Sequence, residues 1–475
     1  MDWANIERKR IHIVGIKGAG CAALAEILHH RGAHLSGSDN PENFYTSLML
    51  DALKITIYHQ FDQEHITKEI DLVIHSAAYN QRNVELARAV ALGLSILSYP
   101  EALGKLSQQS YSIAVAGVHG KTTTTAMLGL IAKEQGWPAT TLVGSLVGGF
   151  GNRATYCAGS EIFIAETCEY REHFMHFHPN AILLTAIEWD HQDYYKSPQQ
   201  LRDAFFRFIQ RLPNGGILLY NADDPEVMMV VAQVQEARQD LSYRSFGHLH
   251  SVDYALSHEA VAGEMNTFSL SGWVDSVAIP LAGKHNRANA GMALAMAREI
   301  ALQRGIDFSG DRARQSMRSF HGLTRRLELV GYDKARNIIV LDDYAHHPTA
   351  IEKTILGLRE FYPERRIILS FMSHTYSRTH ALLADFARTI ALADVVILHK
   401  IYASAREHKP ENFSSQDLLT ATEAEKVSDL YYIEEPLDAL ALLRTLLQPN
   451  DLFITMGAGD NFHLSHQLIK EWASW

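Results

Sequence analysis

The chain has 475 residues, of which 47% are hydrophobic and 20% are charged, a composition that excludes a disordered protein. Because folding units usually contain about 100 to 200 residues, this length predicts two to four domains. The 43 basic and 54 acidic residues give a net charge of -11, which disfavours nonspecific binding to nucleic acid or to an anionic membrane. Any phosphorylated ligand must therefore be bound by a local site.

The cysteines and the N-terminal segment indicate a cytoplasmic protein. Cys21, Cys157 and Cys168 are widely spaced and odd in number, so neither a disulfide framework nor a metal-binding cysteine set is expected. The first residues, "MDWANIERKRIHIVG", lack the long apolar core of a secretion signal. No stretch reaches the ~18 apolar residues of a membrane span. We therefore expect a protein with no membrane partner.

The first hundred residues predict a Rossmann-like βαβ unit. Residues 10–20, "RIHIVGIKGAG", indicate a strand that enters a glycine turn, and the following helical pattern ends on Gly32. Two further short strands end near Asp39 and Ser76, and ligands of such sheets bind beyond the strand tips. The glycine spacing, G-x-x-G-x-G, is not the dinucleotide fingerprint, but Asp39 lies about where a ribose-binding residue is expected. The pattern indicates a nucleotide diphosphate without identifying it.

Two more blocks follow, and both are typical of α/β domains. A helical segment at residues 100–110 precedes a fresh strand, "YSIAVAG", after which several apolar runs each stop at polar residues. From about residue 325, apolar strands again alternate with helical segments, as in "NIIVLDDYAHHP" and "LFITMGAGD". The predicted fold class is α/β, with mostly parallel sheets.

The segment "VAGVHGKTTTTAML", residues 115–128, resembles a phosphate-binding loop. It departs from G-x-x-x-x-G-K-T because Val115 stands where the first glycine belongs, although Gly117 supplies a shorter G-x-x-G-K-T. Small residues let backbone N–H groups approach phosphate, and the following helix N-terminus favours an anion. A structural turn with a surface lysine is the alternative. The predicted nucleotide-binding residues are Gly117, His119, Gly120, Lys121, Thr122 and Thr123.

Carboxylate, imidazole and amide side chains follow other predicted strands. Glu166 and His191 end two apolar runs and, beside a triphosphate, could bind Mg²⁺ together with Thr122, although each alone is more typical of a loop. Asn286 and Asn289, beside His285, lie at a predicted helix start, where they could pair with a purine edge or cap the helix.

The border of the third block is rich in charged residues and histidines. Arginine there could bind a terminal phosphate, and aspartate could accept a hydrogen bond from a ribose or orient a lysine. The adjacent histidines are a weaker candidate for a metal pair, since neighbouring side chains rarely point together. The residues concerned are Arg325, Arg326, Asp342, Asp343, His346 and His347.

The ordered set of motifs resembles the Mur ligases, the ATP-dependent amide-bond-forming family that builds the peptidoglycan stem peptide. The motifs cover nearly the whole chain, and only their combination is specific. They are "GVHGKTTTTAML", "EWDHQDYY", "GKHNRANA", "RRLE", "DDYAHHPTAI", "SHTYSRT" and "MGAGD".

The resemblance implies three domains. Residues 1–107 would bind the UDP moiety of a UDP-sugar, residues 108–325 would bind ATP, and residues 326–475 would form a Rossmann-like domain that binds the amino acid. The implied reaction joins L-alanine to the lactyl carboxylate of UDP-N-acetylmuramate through an acyl phosphate, with ATP and Mg²⁺. A cytoplasmic monomer or homodimer is expected.

Residue roles follow from the same resemblance. Lys121 and Thr122 would hold phosphates, and Thr122, Glu166 and His191 would hold the metal. Asn286 and Asn289 would contact adenine, Arg326 the γ-phosphate and Asp343 the nucleotide. His346 and Arg378 would lie near the incoming alanine. The implied catalytic residues are Lys121, Glu166, His191, Arg326, His346 and Arg378, and those for the UDP-sugar are Gly18, Ala19, Gly20, Ser38, Asp39 and Ser76.

The sequence also departs from the family pattern. The acidic "EADESD"-like segment is "ETCEYREH", which keeps Glu166 and Glu169 and leaves the contacts to the muramoyl group open. Thr375 stands where many relatives carry arginine, so alanine recognition would depend more on Arg378. The lysine that some sister ligases carbamylate aligns roughly with Phe206.

Other functions stay open at this stage. Within the family they are a ligase that attaches a recycled tripeptide to the same UDP-sugar and a folylpolyglutamate-type ligase. "MGAGD" disfavours the first, and the glycine-rich first domain has no role in the second. Outside the family, an NAD-dependent oxidoreductase would leave the central motifs unexplained. An inactive binding homologue would be expected to lose Lys121 or the metal residues.

Overall fold

A computed structural model describes residues 3, 5–42, 46–192, 194–273, 275–403, 407, 410 and 412–473. The chain forms two compact units. The first contains Met1–Ser257, Ser269–Asp275 and Asn289–Arg318, and the second contains His258–Phe268, Ser276–Ala288 and Ser319–Trp475. Within the described ranges, no helix combines the length and the apolarity needed to cross a membrane.

The N-terminal part of the first unit is a five-stranded parallel sheet with the order β3-β2-β1-β4-β5. The order reverses beside β1, where Val14 pairs with Ser38 on one side and His75 on the other, so three strands end together. The glycine turn, Asp39 and Ser76 therefore follow the same sheet edge, as the sequence predicts. The elements are β1 (Arg10–Val14), α1 (Ala19–His30), β2 (His34–Ser38), α2 (Ser47–Ala52), β3 (Thr56–Tyr58), β4 (Leu72–His75), α3 (Val84–Ala91), β5 (Ser95–Ser98) and α4 (Tyr99–Ser107).

A second sheet continues the first unit with the order β12-β11-β10-β6-β9-β7-β8, parallel except for the antiparallel pair β7 and β8. Ala116 of β6 pairs with Leu184 of β10, and Val115 pairs with Glu166 of β9, which brings three strand ends to one edge. The elements are β6 (Tyr111–Ala116), α5 (Lys121–Gln135), β7 (Ala139–Val147), β8 (Arg153–Cys157), β9 (Ile162–Glu166), β10 (Ala181–Leu184), α6 (Pro198–Ile209), β11 (Ile217–Asn221), α7 (Pro225–Ala237) and β12 (Ser242–Gly247).

Short strands and two helices come next along the chain. The start of β13 pairs in parallel with β12, and β14 pairs in antiparallel fashion with β15. The elements are β13 (Tyr254–Val261), β14 (Asn266–Leu270), β15 (Val277–Ile279), α8 (Lys284–Arg304) and α9 (Gly310–Arg318).

A six-stranded sheet dominates the second unit, with the order β16-β17-β21-β18-β19-β20 and only β16 antiparallel. Asp343 pairs with Met456, and Met372 pairs with Gly457, so the "DDYAHHP", "SHTYSRT" and "MGAGD" segments leave one sheet edge. The elements are β16 (Glu328–Asp333), β17 (Ile338–Asp343), α10 (Pro348–Phe361), β18 (Ile367–Met372), α11 (Tyr376–Ala381), α12 (Leu383–Ile390), β19 (Val395–Leu398), α13 (Ser415–Ala424), β20 (Asp429–Tyr432), α14 (Leu440–Leu446), β21 (Leu452–Gly457) and α15 (Phe462–Ala473).

The strand compositions explain these sheets. The central strands β10, β17, β18, β19 and β21 are buried along their whole length, as expected for parallel strands covered on both faces. Helices α6 and α7 begin with a capping side chain followed by proline, at Ser197 and Asp224, and α5 ends at Gly136 in the left-handed conformation. The predicted α/β class with mostly parallel sheets is confirmed.

Candidate active site

The turn between β6 and α5 forms a glycine cradle, residues 117–120. Gly117 has a φ of 135° and Gly120 a φ of 81°, where L side chains are strained. A Cβ on Gly117 would lie 2.2 Å from Thr185 Oγ1, whose hydroxyl donates to the His119 carbonyl at 2.6 Å. Lys121 then begins α5, whose N-terminus carries partial positive charge. The cradle therefore has the backbone of an anion site, as the sequence predicts.

Lys121 is directed back over this cradle. Its ammonium donates to the carbonyls of Gly117 at 2.6 Å and Val118 at 3.2 Å, and to Glu169 Oε2 at 2.8 Å. Burial alone would lower the pKa of Lys121, but the surrounding negative groups, with Glu169 foremost among them, together outweigh it, and the pKa is raised. Lys121 is thus a half-buried, charged group at the point where an anion would bind.

The carboxylate of Glu169 joins two of the expected site residues. Oε1 lies 3.4 Å from His191 Nε2, opposite the Lys121 contact. Burial opposes the charged form of Glu169, yet Lys121 and His191 overcome that effect and hold the pKa of its carboxyl below the ordinary value. The ring of His191 also packs 4.7 Å from that of Tyr170. The structure therefore places His191 near Lys121, and Glu169, to which the sequence analysis gave no role, contacts both.

Glu166 ends β9 on the same side of the sheet. Its Oε1 fills the space above Gly144, where a Cβ would lie only 1.8 Å away, so a larger residue at that position would displace the Glu166 carboxylate. The charge of Glu166 also contributes to the raised pKa of Lys121. The carboxylates of Glu166 and Glu169 line this region, and carboxylate oxygens are suitable ligands for a divalent cation. The Lys121 ammonium beside them suits an anionic ligand.

The remaining predicted nucleotide-binding residues differ in their surroundings. Thr122 and Thr123 are half-buried in the first turn of α5, and Asn289 Oδ1 lies against Gly120, 2.7 Å from where a Cβ would stand. His119 contacts Glu188 at 2.6 Å. Asn286 differs, since its amide donates to the Ala282 carbonyl at 2.8 Å and closes the turn that starts α8. This contact is not a helix cap, because an N-cap side chain accepts from a backbone N–H, whereas the Asn286 amide donates to a carbonyl.

The first sheet presents its own glycine turn, which includes Gly18, Ala19 and Gly20. A Cβ on Gly20 would lie 2.8 Å from the Tyr99 ring, so a larger residue there would force the ring to move. Asp39 accepts hydrogen bonds from the Lys17 N–H at 2.8 Å and the Tyr79 hydroxyl at 3.2 Å. Ser76 lies at the adjacent strand tip and accepts from the Ala78 N–H at 3.3 Å.

Ser38 is the exception among the residues predicted to bind the UDP-sugar. Its side chain is buried and its hydroxyl donates to Glu85, because the alternation of β2 turns it away from the strand tips. Glu85 also contacts His65 at 2.7 Å and His12 at 3.4 Å, which forms a buried polar network. Only the backbone carbonyl of Ser38 reaches the glycine turn, where it accepts from the Gly15 N–H at 2.8 Å.

In the second unit the two arginines behave differently. Arg325 is held by Asp342 at 3.2 Å and by the carbonyls of Gly457 and Gly459. The Arg326 guanidinium lies over the Tyr344 ring at 5.3 Å. We conclude that Arg325 supports the local fold, which leaves Arg326 as the better candidate for a ligand contact.

Asp343 is fixed by its neighbours at the end of β17. It accepts from the Ala345 N–H and the Thr354 hydroxyl, both at 3.0 Å. Burial raises the pKa of Asp343 to about 6, and the nearby Arg326 only partly opposes this effect.

Two residues expected near the incoming amino acid lie in one cluster. Arg378 Nη1 contacts His374 Nδ1 at 3.1 Å, and the His374 ring packs against His346 at 5.6 Å and Tyr402 at 6.0 Å. His347 instead begins α10, so the two adjacent histidines have separate surroundings. Thr375, the departure from the family, has a φ of 66° and donates its N–H to the Tyr402 carbonyl at 2.8 Å.

Three residues that the sequence analysis left without a role complete these sites. Glu169 joins Lys121 to His191, Thr185 supports the cradle, and His374 links His346 to Arg378. The sequence could have indicated two of them, because Glu169 is retained in "ETCEYREH" and His374 lies in the "SHTYSRT" motif. It gave no indication for Thr185, because a threonine after an apolar strand is common.

These features define a class: an α/β protein with mostly parallel sheets and a P-loop-type cradle at a strand tip. Residues 10–111 match the model of the Mur ligase family catalytic domain, residues 115–297 the Mur ligase middle domain, and residues 325–459 the Mur ligase glutamate ligase domain. The chain belongs to the Mur ligase family.

Individual relatives agree with this membership. A UDP-N-acetylmuramate–L-alanine ligase from Treponema pallidum is 45% identical over 97% of this chain and 96% of its own. One of the same name from Borreliella burgdorferi is 38% identical over 96% of this chain and 97% of its own. The crystal structure of a UDP-N-acetylmuramate–alanine ligase from Thermotoga maritima has the same fold, with a TM-score of 0.80 and 23% identity, covering 98% of this chain and 99% of that one.

Proposed function

We propose that this protein is an ATP-dependent ligase that joins L-alanine to the lactyl carboxylate of UDP-N-acetylmuramate, a step in peptidoglycan precursor synthesis. The observation that carries the proposal is the half-buried Lys121 over a glycine cradle in a chain 45% identical to a ligase of that name. The cradle supports the binding of a nucleotide phosphate, and the names of the relatives support the choice of substrates.

The second sheet would provide the ATP site. Backbone N–H groups of the cradle and the Lys121 ammonium would bind the phosphates, with Asn289 next to Gly120 for the nucleotide. Thr122, Glu166 and His191 would hold Mg²⁺, which when bound would neutralise triphosphate charge and polarise the γ-phosphoryl group. Arg326, Asp343 and Asn286 are assigned to the nucleotide by family resemblance.

The residues of this chain would act mainly by positioning and charge neutralisation. A carboxylate and a triphosphate repel each other, and the protein itself carries a net charge of -11. Lys121 and Arg326 would offset this repulsion while the γ-phosphoryl group passes from ATP to the lactyl carboxylate, which gives an acyl phosphate and ADP. His346 and Arg378 would orient L-alanine so that its amine attacks the acyl carbon, loses a proton and expels inorganic phosphate.

The first sheet would bind the UDP-sugar. Gly18, Ala19 and Gly20 would admit the pyrophosphate, and Asp39 and Ser76 would contact the nucleoside or sugar. We omit the Ser38 hydroxyl from this set, because it donates its hydrogen bond to Glu85. The domain limits of 1–107, 108–325 and 326–475 are part of the same proposal.

Phosphate release from ATP tests the proposal. The purified protein is mixed with Mg²⁺, ATP and UDP-N-acetylmuramate, with and without L-alanine. Release that needs both substrates is the expected result. Release that needs a peptide in place of L-alanine would assign the recycling reaction instead, and no release with any acceptor would favour an inactive nucleotide-binding homologue.

A further inference from the structure

The Glu169 carboxylate is built into the phosphate site more firmly than an ordinary surface carboxylate. Its side chain is only 3% exposed, and its backbone carbonyl accepts from the Tyr195 hydroxyl at 2.6 Å and the Glu172 N–H at 2.9 Å. The turn that follows requires left-handed backbone at Arg171 and Glu172. Such a turn is costly for non-glycine residues, so the position of Glu169 is specified by its surroundings.

The hydrogen bonds of Lys121 show what Glu169 does there. An ammonium has three donors, and Lys121 uses them on the carbonyls of Gly117 and Val118 and on Glu169 Oε2. A phosphate oxygen can bind this ammonium only by replacing or sharing one of these acceptors. The two carbonyls belong to the cradle backbone, whereas Glu169 contributes a rotatable side chain that also contacts His191 at 3.4 Å.

We propose that Glu169 is a positioning residue: its carboxylate holds Lys121 and His191 over the cradle and releases Lys121 to the triphosphate when the nucleotide binds. The inference rests on the proposed ATP-dependent function. In this arrangement the carboxylate takes the place of an anion until the nucleotide arrives. It keeps the Lys121 ammonium aligned over the cradle, at the expense of some nucleotide affinity.

A crystal structure of the protein with a non-hydrolysable ATP analogue and Mg²⁺ tests the release directly. We expect Lys121 Nζ to contact phosphate and to lie more than about 4 Å from both Glu169 carboxylate oxygens, beyond hydrogen-bond distance. Glu169 should keep its contact with His191. Persistence of the 2.8 Å contact between Lys121 and Glu169 beside bound phosphate would overturn the proposal.

Binding of ATP in the presence of EDTA provides a second measurement. Glu169→Gln keeps the shape of the side chain but removes the charge that competes with phosphate for Lys121. We expect metal-free ATP to bind this variant about 3- to 10-fold more tightly than the parent protein. Glu172→Gln is the matched control, since Glu172 lies three residues away and pairs with Arg207 instead. Equal affinity in the parent and Glu169→Gln, with both folded, would contradict the inference.

Turnover separates positioning from a merely structural role. We expect Glu169→Gln to lower kcat by about tenfold or more without raising the KM for ATP, because His191, which Glu169 still contacts in the nucleotide complex, loses its alignment. Glu169→Asp keeps the charge and should recover part of kcat. A fall in kcat that matches a loss of folded protein would indicate a structural role. If the parent protein releases no phosphate with any acceptor, the proposed function fails instead, and ATP binding in EDTA still tests Glu169.

Discussion

At the scale of single residues, the site depends on positions where only one side chain fits. Gly117 combines a φ of 135° with a distance of 2.2 Å from its hypothetical Cβ to Thr185 Oγ1. The sequence predicted this glycine for phosphate access, and the structure adds a second reason, which is the close approach of β10. A glycine at a turn with open surroundings has the positive φ but not the close neighbouring atoms.

Replacement of Gly117 by alanine should therefore damage both stability and nucleotide binding. We expect Gly117→Ala to lower the free energy of unfolding by about 3 kcal/mol or more and to weaken ATP binding, because the cradle must shift. Gly136→Ala is the control, since Gly136 also has a positive φ of 71° but nothing within 4 Å of its Cβ. That variant should lose only about 1 to 2 kcal/mol and keep its ATP affinity. Similar results for the two would contradict the steric argument.

At the scale of elements, buried charges fix how helices and strands meet. Arg287 in α8 has a side chain only 1% exposed and pairs with Glu259 of β13 at 2.6 Å and Glu360 of α10 at 3.0 Å. It also donates to the Asn266 side chain at 2.7 Å. Arg287, Glu259, Asn266 and Glu360 all belong to the second unit. The Arg287 guanidinium therefore joins strands β13 and β14 to helix α10.

Loss of that guanidinium should destabilise the protein strongly. We expect Arg287→Met to lower the free energy of unfolding by about 3 kcal/mol, because Glu259, whose side chain is only 18% exposed, loses its charged partner and the buried Asn266 side chain loses its donor. Urea unfolding measures the effect. Arg298→Met provides the comparison, since Arg298 lies on the same helix and its guanidinium donates to the Gly272 carbonyl. An equally small loss in both variants would mean that the buried pairs add little.

The end of β17 should make stability depend on pH. The pKa of Asp343 is raised by burial from 3.8 to about 6, so between these values the unfolded chain loses its proton before the folded chain does. Rising pH through this window therefore favours unfolding, and the full stability contribution is present below about pH 4. We expect Asp343→Asn to gain up to about 3 kcal/mol relative to the parent protein between pH 4 and 7.

Urea unfolding at several pH values between 4 and 7 measures this difference. Asp333→Asn is a suitable contrast, because the pKa of Asp333 is lowered: burial opposes the shift, but hydrogen bonds from Arg336 outweigh it. The stabilising effect of the Asp333 carboxylate is lost only as pH falls below the ordinary pKa of aspartate, 3.8. The difference in unfolding free energy between Asp333→Asn and the parent protein should therefore stay nearly constant between pH 4 and 7. A constant difference between Asp343→Asn and the parent protein would show that Asp343 does not titrate in that window.

At the scale of the whole molecule, the proposed function divides ligands among parts of the chain. The cradle lies on the second sheet, whereas the proposed UDP-sugar residues lie on the first. A defect in one set should therefore leave the other ligand bound.

Lys121→Ala tests this division. We expect it to reduce turnover by at least about 10²-fold while UDP-N-acetylmuramate binds with nearly unchanged affinity. Calorimetric titration of the UDP-sugar and phosphate release report the two properties. Lys133→Ala is the control at the far end of α5, where Lys133 donates to the Gly149 carbonyl. Equal loss of binding and turnover in a folded Lys121→Ala protein would count against the domain assignment.

The sequence by itself determined the features that depend on neighbouring residues. Hydrophobic runs ending at polar residues predicted the parallel sheets, and the order Gly117, Gly120, Lys121 predicted the cradle, because backbone conformation and helix starts are set locally. Tertiary structure decided the partners of side chains. Ser38 bonds to Glu85, 47 residues away, and Lys121 pairs with Glu169, 48 residues away. Such contacts depend on which strands lie side by side and which way each residue faces, and neither can be read from local spacing.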